Sequence, residues 1–295
     1  SWTTFPRRLP PVARPEFSMR ASRLAFLAVL AGSTVPLAPA WAVVPLQPHR
    51  AVYDLSLQKA TDRSGITGIT GRMVYEFNGS ACEGYTVKFR FVTQINTGDT
   101  SRLTDQQTTT FEDAQGKTFS FVTKSFVDQA LDKEVKGTAT REPNGLKVKL
   151  DKPQKNTIEL APTQFPTQHL VELIGKAEKG ETFYQTNLFD GSEDADKVMT
   201  TTVIVGKPAD AAKDDPERPA LAKLSTDKVW PVDIAYFDES KKDSGEELPE
   251  YRISFKLHEN GITRDLVMDY GEFSMTGKLV NLSLFDPAPQ KNCNQ

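Results

Sequence analysis

Gly84-Tyr85-Thr86-Val87-Lys88-Phe89-Arg90-Phe91-Val92-Thr93-Gln94-Ile95 decides the fold of this chain. Tyr85, Val87, Phe89, Phe91 and Ile95 fall on one face, and Thr86, Lys88, Arg90 and Gln94 on the other. Apolar against polar with a period of two is a strand with one buried and one wetted face. The same alternation runs upstream. Gly71, Met73, Tyr75 and Phe77 alternate with Arg72, Glu76 and Asn78, and Ala51, Tyr53, Leu55 and Leu57 with Arg50, Asp54, Ser56 and Gln58. Between and beyond these runs stand Asn78-Gly79, Asn144-Gly145, Asp190-Gly191 and Asn260-Gly261. Such dipeptides supply the positive φ angles of tight hairpin turns.

Carried along the chain, the alternation predicts about fourteen strands. They lie near 50–58, 70–78, 84–95, 100–112, 117–125, 133–141, 145–150, 155–160, 181–189, 197–206, 229–237, 250–257, 262–270 and 275–285. Consecutive hairpins make an antiparallel meander the default topology. An open sheet of that many strands curls or closes rather than staying flat. The expected fold is therefore all-β, a single domain over 43–295 whose sheet curls into a partial barrel.

Residues 166–180 break the pattern. Leu170, Leu173, Ile174 and Ala177 recur at helical spacing, with Pro166 near the start and Gly180 just past the end. One amphipathic helix in a β chain either plugs a sheet edge or barrel mouth, or acts as a lid over an apolar cavity. Two stretches read as solvated excursions, 206–228 and the charged 238–249. A domain boundary at 206–228 is the alternative reading of the first.

Near the start, Met19 is the first methionine. It opens a short basic segment (Met19–Arg23), an apolar run (Leu24–Ala31), and small residues at Ala40 and Ala42 around Trp41. That is the three-part grammar of a secretory signal peptide. Residues 1–18 are expected to lie upstream of the native start. The apolar run is too short for a spanning helix, which needs ~20 residues. The chain is thus expected in the periplasm, soluble and not membrane-spanning. Residues 1–42 hold five arginines and one glutamate, so 43–295 carries 31 basic against 38 acidic side chains, about −7. A net acidic chain argues against nucleic acid and against an electrostatic hold on anionic lipid.

Export gives weight to the two cysteines, Cys82 and Cys293. In an oxidising compartment a lone pair reads as one structural disulfide. By chain entropy, closing so long a loop is worth about 5 kcal/mol. The bridge would hold the tail against the early strands of the meander.

The inventory for catalysis is thin. His49, His169 and His258 show no ligand spacing, and HExxH, CxxC, GxSxG, P-loop and GxGxxG motifs are absent from the sequence. No catalytic residue, metal ligand or cofactor is therefore assigned. A hydrolase with a triad assembled from distant residues is the alternative. The acidic run Asp190–Asp196 has Ala195 and Thr201 where a calcium loop needs Gly and Glu, so it reads as a turn with a solvated acidic rim. Seventeen phenylalanines, seven tyrosines and three tryptophans supply a large apolar inner face. That face either packs solid or lines a cavity suited to acyl chains. If a cavity forms, Tyr75, Phe77, Phe89, Phe91, Leu170, Leu173 and Ile174 are its expected lining.

Several segments carry a resemblance. They are His49–Leu57, Ile69–Phe77 ahead of Cys82-Glu83-Gly84-Tyr85, Leu188-Phe189-Asp190-Gly191-Ser192, and the near-terminal Cys293. In their order and cysteine placement they resemble the cell-envelope-integrity EipB family of Alphaproteobacteria, across 43–295. The resemblance implies a β-spiral of about fourteen strands with a helix near the opening of a partial barrel. It also implies a Cys82–Cys293 bridge and a periplasmic, non-enzymatic role in envelope integrity. That architecture is similar to the lipoprotein carriers LolA and LolB, which implies a lipid or lipoprotein ligand. A scaffold that binds a periplasmic protein partner is the alternative.

Overall fold

Alternating side chains dictate strands, and most of the described residues lie in them. A computed structural model describes residues 45–241 and 248–286. The upstream stretch 1–18, the signal peptide expected at 19–42 and Cys293 lie outside the described residues. Strands β1 (His49–Ala60), β2 (Ile66–Ser80), β3 (Gly84–Thr97), β4 (Thr100–Glu112), β5 (Thr118–Val127), β6 (Ala130–Glu142), β7 (Gly145–Lys152) and β8 (Asn156–Leu160) form one meander. Helix α1 (Pro166–Glu178) follows. A second meander holds β9 (Phe183–Leu188), β10 (Met199–Val205), β11 (Ala209–Asp210), β12 (Lys228–Asp238), β13 (Tyr251–His258), β14 (Thr263–Asp269) and β15 (Phe273–Leu284). The alternation located every strand except the two-residue β11, which pairs with β12.

The two meanders join at β1 and β15. β15 lies antiparallel to β1, from His49↔Leu284 to Ala60↔Phe273. The sheet order is β8-β7-β6-β5-β4-β3-β2-β1-β15-β14-β13-β12-β10-β9, so the first and last strands sit in the middle and the free edges are β8 and β9. This differs from one running meander. β1 and β15 are held in register by backbone hydrogen bonds.

The connection between the edges forces the curl. About 22 residues separate Leu160 from Phe183. Fully stretched on both sides of a 13-residue helix, they reach at most about 55 Å. Fourteen strands laid flat at about 4.8 Å spacing would put the edges about 62 Å apart. A flat sheet is therefore excluded. The sheet curls into an open spiral whose two edges do not pair.

Its concave face holds two separate cores. In the first, Ala51, Tyr53, Leu55 and Met73 meet Val203, Ile234, Leu257, Leu266 and Leu279, and Leu173, Ile174 and Ala177 of α1 close over them. In the second, Phe119, Phe121, Val135, Ala139, Leu146 and Val148 pack on Phe165, Phe189 and Ala195. The loop after β9 thus tucks Phe189 and Ala195 inside while Glu193 and Asp194 stay exposed. The acidic rim expected at Asp190–Asp196 is solvated on one side only.

The excursion at 206–228 is not simply a solvated loop. Besides β11 it contains a one-turn helix α2 (Arg218–Leu221) and a 3-10 turn (Ala222–Thr226), and Leu221 is buried. A charge cluster fixes it. Arg264 on β14 is fully buried, and its Nη1 donates to Asp215 Oδ2 at 2.7 Å and Glu217 Oε1 at 3.0 Å. Glu217 Oε2 accepts from the backbone N–H groups of Asp265 and Leu279 at 3.0 and 2.6 Å. Arg264 Nε donates to His258 Nε2 at 3.1 Å. Composition alone reads these charges as solvated. Their complementary partners lie 47 and 49 residues away in sequence.

Candidate functional site

The site starts from how α1 is held. Phe165 stands at its N-cap without a side-chain cap, and Pro166 opens the first turn. The missing cap comes from another strand. Glu112, at the end of β4, accepts from the N–H of Thr167 (Oε2, 2.9 Å) and of Gln168 (Oε1, 3.3 Å). A carboxylate there satisfies orphan donors and complements the helix dipole. Burial pushes the Glu112 carboxyl above the usual carboxylate range, against the lowering effect of those N–H groups. At the far end Gly180 adopts φ +75° and donates its N–H to Ala177 O, so α1 stops there.

Beneath α1 the first core is not filled. A cavity of about 400 Å³ lies between the helix and the concave face. One wall is Tyr53 of β1, Met73 and Tyr75 of β2, Phe89 and Phe91 of β3, and Gln106 of β4. Opposite stand Ile234 and Tyr236 of β12, Tyr251, Ile253 and Phe255 of β13, and Leu266 and Met268 of β14, with Tyr270 just beyond. Pro166, His169, Leu170 and Leu173 form the helical roof. The size falls in the range of small-molecule sites, about 300–1,000 Å³.

Asp, Glu, Lys and Arg are missing from this lining among the described residues. Its titratable groups are held neutral. Burial pushes Tyr75 and Tyr270 up to about 12 and raises Tyr53, Tyr236 and Tyr251 as well. Tyr53 Oη donates to Thr263 O at 2.5 Å. Burial lowers His169 to about 4, so its imidazole stays uncharged at neutral pH; its Nε2 sits 2.9 Å from Thr201 Oγ1. Tyr236, Tyr251, Tyr270 and Phe273 form a row of adjacent rings with centroids 5.0–5.4 Å apart.

Of the residues expected to line a cavity, Tyr75, Phe89, Phe91, Leu170 and Leu173 stand on its wall. Phe77 is buried and stacks on Tyr85 at 5.4 Å. Ile174 faces the packed core beside Gly261. The wall from β12 to β14 was not assigned from sequence. Tyr251, Ile253 and Phe255 alternate as clearly as Phe89 and Phe91, but alternation does not say which strands face one another across a curl. Cys82 lies in the turn between β2 and β3 and is not a free thiol. Among the described residues there is no group of three or more His, Cys, Asp or Glu fit to hold a metal, and no helix long and apolar enough to cross a membrane.

An open antiparallel spiral of fifteen strands, curled round an uncharged apolar pocket with a helical roof, defines the class of protein. The comparisons with known proteins make it particular. The EipB-like family model matches residues 40–286. The chain is 57% identical over 281 residues to the cell envelope integrity protein EipB of Brucella abortus (strain 2308), covering 92% of this chain and 98% of that protein. It is also similar to a crystal structure of a beta-barrel-like protein of domain of unknown function DUF1849 from Brucella abortus. That match has 60% identity and a TM-score of 0.79, and covers 82% of this chain and 100% of the other. The chain belongs to the EipB-like family.

Proposed function

We propose that this chain is a periplasmic protein that supports cell envelope integrity by sheltering an apolar envelope component, a lipid or the acyl part of a lipoprotein, without catalysing a reaction. The cavity under α1 carries this reading. A wall so rich in aromatic and aliphatic groups gains about 25 cal/mol per Å² of apolar ligand surface it removes from water. The relative's name, a cell envelope integrity protein, points the same way. So does the signal-peptide grammar of residues 19–42. Binding fits this lining better than acyl transfer, because His169 meets Thr201 and no carboxylate stands on the wall to orient it.

Native mass spectrometry of protein released gently from periplasm is the test. Retained lipid is expected, together with its loss in a Leu173→Trp variant that fills the space. A ligand-free protein at every extraction condition overturns the carrier reading.

The same proposal includes a Cys82–Cys293 bridge. Leu284, His49 and Phe77 are neighbours across β15, β1 and β2. Phe77 of β2 and Leu284 of β15 therefore lie at one end of the sheet, about two strand spacings (~10 Å) apart, and Cys82 follows Phe77 by five residues. Thiol alkylation before and after reduction checks it, with two sites expected only after reduction.

A second reading, a protein-interaction module, has one observation in its favour. Phe183 and Ile204 are register partners at the β9 edge, 63% and 52% exposed. In-cell crosslinking from position 183 that survives Leu173→Trp supports it.

A further inference from the structure

The cavity is continuous with a second surface that its apolar character does not explain. Across the concave face, Phe91 is in register with Gln106 and then Ser125, and Phe89 with Thr108 and then Thr123. Moving outward from β3, the lining thus changes within one strand from phenyl rings to hydroxyl and amide groups. Thr108 Oγ1 and Thr123 Oγ1 lie 2.9 Å apart, and Gln106 is exposed and shared with the cavity wall. This band is polar but carries no charge. One strand further, the cation opposite Ser125 is Lys133, and it is ion-paired with Asp194. Arg102, four residues along the face of Gln106, is exposed at the far end of β4.

The ionised groups that reach the cavity side chains are carboxylates. Glu112 acts on Tyr75, Glu217 on Tyr53, and Asp190 on both Tyr236 and His169. None of them lines the cavity. An anionic head would meet repulsion with no cation on the cavity wall; Lys133 is already paired with Asp194, and Arg102 stands four residues away along β4. A cationic head would be desolvated with no counter-ion on the wall. The rings of Tyr236, Tyr251 and Tyr270 stand in a row along neighbouring strands rather than around a point, so they do not make a cage for a quaternary ammonium.

We infer that the cavity takes an uncharged amphiphile: one acyl or alkyl chain beneath α1, with a hydroxyl, ester or sugar head on the hydroxyl–amide band of β4 and β5. This rests on the carrier reading and narrows it. At about 30 Å³ per methylene-sized group, 400 Å³ accommodates roughly a dozen carbons.

The test holds the chain at twelve carbons and changes the head. Calorimetric titration of the purified protein compares monolauroylglycerol, dodecyl maltoside, laurate, dodecylphosphocholine and dodecyltrimethylammonium, each below its micelle concentration. The glycerol ester or the maltoside is expected to bind at least about tenfold more tightly than the three charged heads, because a desolvated charge without a partner is strongly disfavoured. Which of the two leads tells a glycerolipid from a glycolipid source. Gln106→Lys, at an exposed position, is expected to raise laurate affinity about three- to fivefold, the scale of a half-exposed ion pair, and to leave the maltoside within twofold. Laurate or dodecylphosphocholine binding as tightly as the neutral heads overturns the inference and leaves the carrier reading standing. Trimethylammonium binding most tightly overturns it in favour of cation–π recognition by the tyrosine row. No binding by any of the five overturns both.

Discussion

The two cores of this sheet use the same alternating strands and end differently. Around Phe119 the space is filled. Its ring stacks on Phe165 at 5.2 Å and Phe121 at 5.9 Å, and meets Phe189 edge-on at 6.3 Å. Around Phe89 the strands bear equally large side chains, yet about 400 Å³ stays open. The difference lies in what crosses the concave face. Opposite β5 to β7, Phe165 and Phe189 reach over from the segments flanking α1 and β9. Opposite β3, α1 lies like a roof beam with Leu170 and Leu173 and does not reach the floor. One connection therefore serves both cores: Phe165 closes the solid one, and the next turn of helix roofs the hollow one.

Truncation should break the comparison most sharply. Phe119→Ala removes a ring only 1% exposed, in a dense cluster, and is expected to cost about 3–5 kcal/mol in chemical denaturation. Phe89→Ala enlarges a space that is already open, and about 1–2 kcal/mol is expected. Equal losses would mean that the two cores are packed alike.

Charge separates them next. The first core is locked from behind by Arg264, Asp215 and Glu217. Arg264→Leu removes the buried cation, leaving Asp215 with Lys256 at 3.8 Å and Glu217 with backbone N–H donors only; a loss of about 3–5 kcal/mol is expected, with the 209–228 segment becoming protease-sensitive first. Cleavage beginning elsewhere would place the weak point outside that lock.

Acid should act on the first core as well. His49, His169 and His258 are all buried there, and burial lowers the pKa of each. Between the folded value of His169, about 4, and its ordinary 6.5, the unfolded chain binds more protons. Stability is therefore full above pH 6.5 and falls as pH drops towards 4, by up to about 3 kcal/mol for His169 alone. A His169→Gln variant should show a shallower decline. An unchanged slope would remove His169 from the account.

The smallest effect tests the void itself. Ala139→Leu adds bulk to the solid core and should cost about 1–3 kcal/mol. Ile253→Phe, pointing into the cavity, should change stability by less than about 1 kcal/mol while weakening ligand retention.

These contrasts follow the boundary between what was readable and what was not. Tyr85, Val87, Phe89 and Phe91 announce a strand and its buried face because alternation is a local consequence of backbone geometry. Leu170, Leu173 and Ile174 announce the helix for the same reason. The tether at Glu112 was not legible, since the residues it caps lie 55 and 56 positions away. Nor was the burial of Asp215 and Glu217, whose charges look solvated until Arg264 is placed beside them.

By itself, then, the sequence determined the strands, their inward faces, the helix over 166–178 and the aromatic supply of the interior. Only the tertiary structure decided that the first and last strands pair at the centre, that the edges are β8 and β9, and that one inner face is solid and the other hollow. The physical reason is range. A period of two fixes where each side chain points relative to its own strand. Whether that side chain meets a partner or empty space depends on how far the opposite wall stands, and the curl of the whole sheet sets that distance.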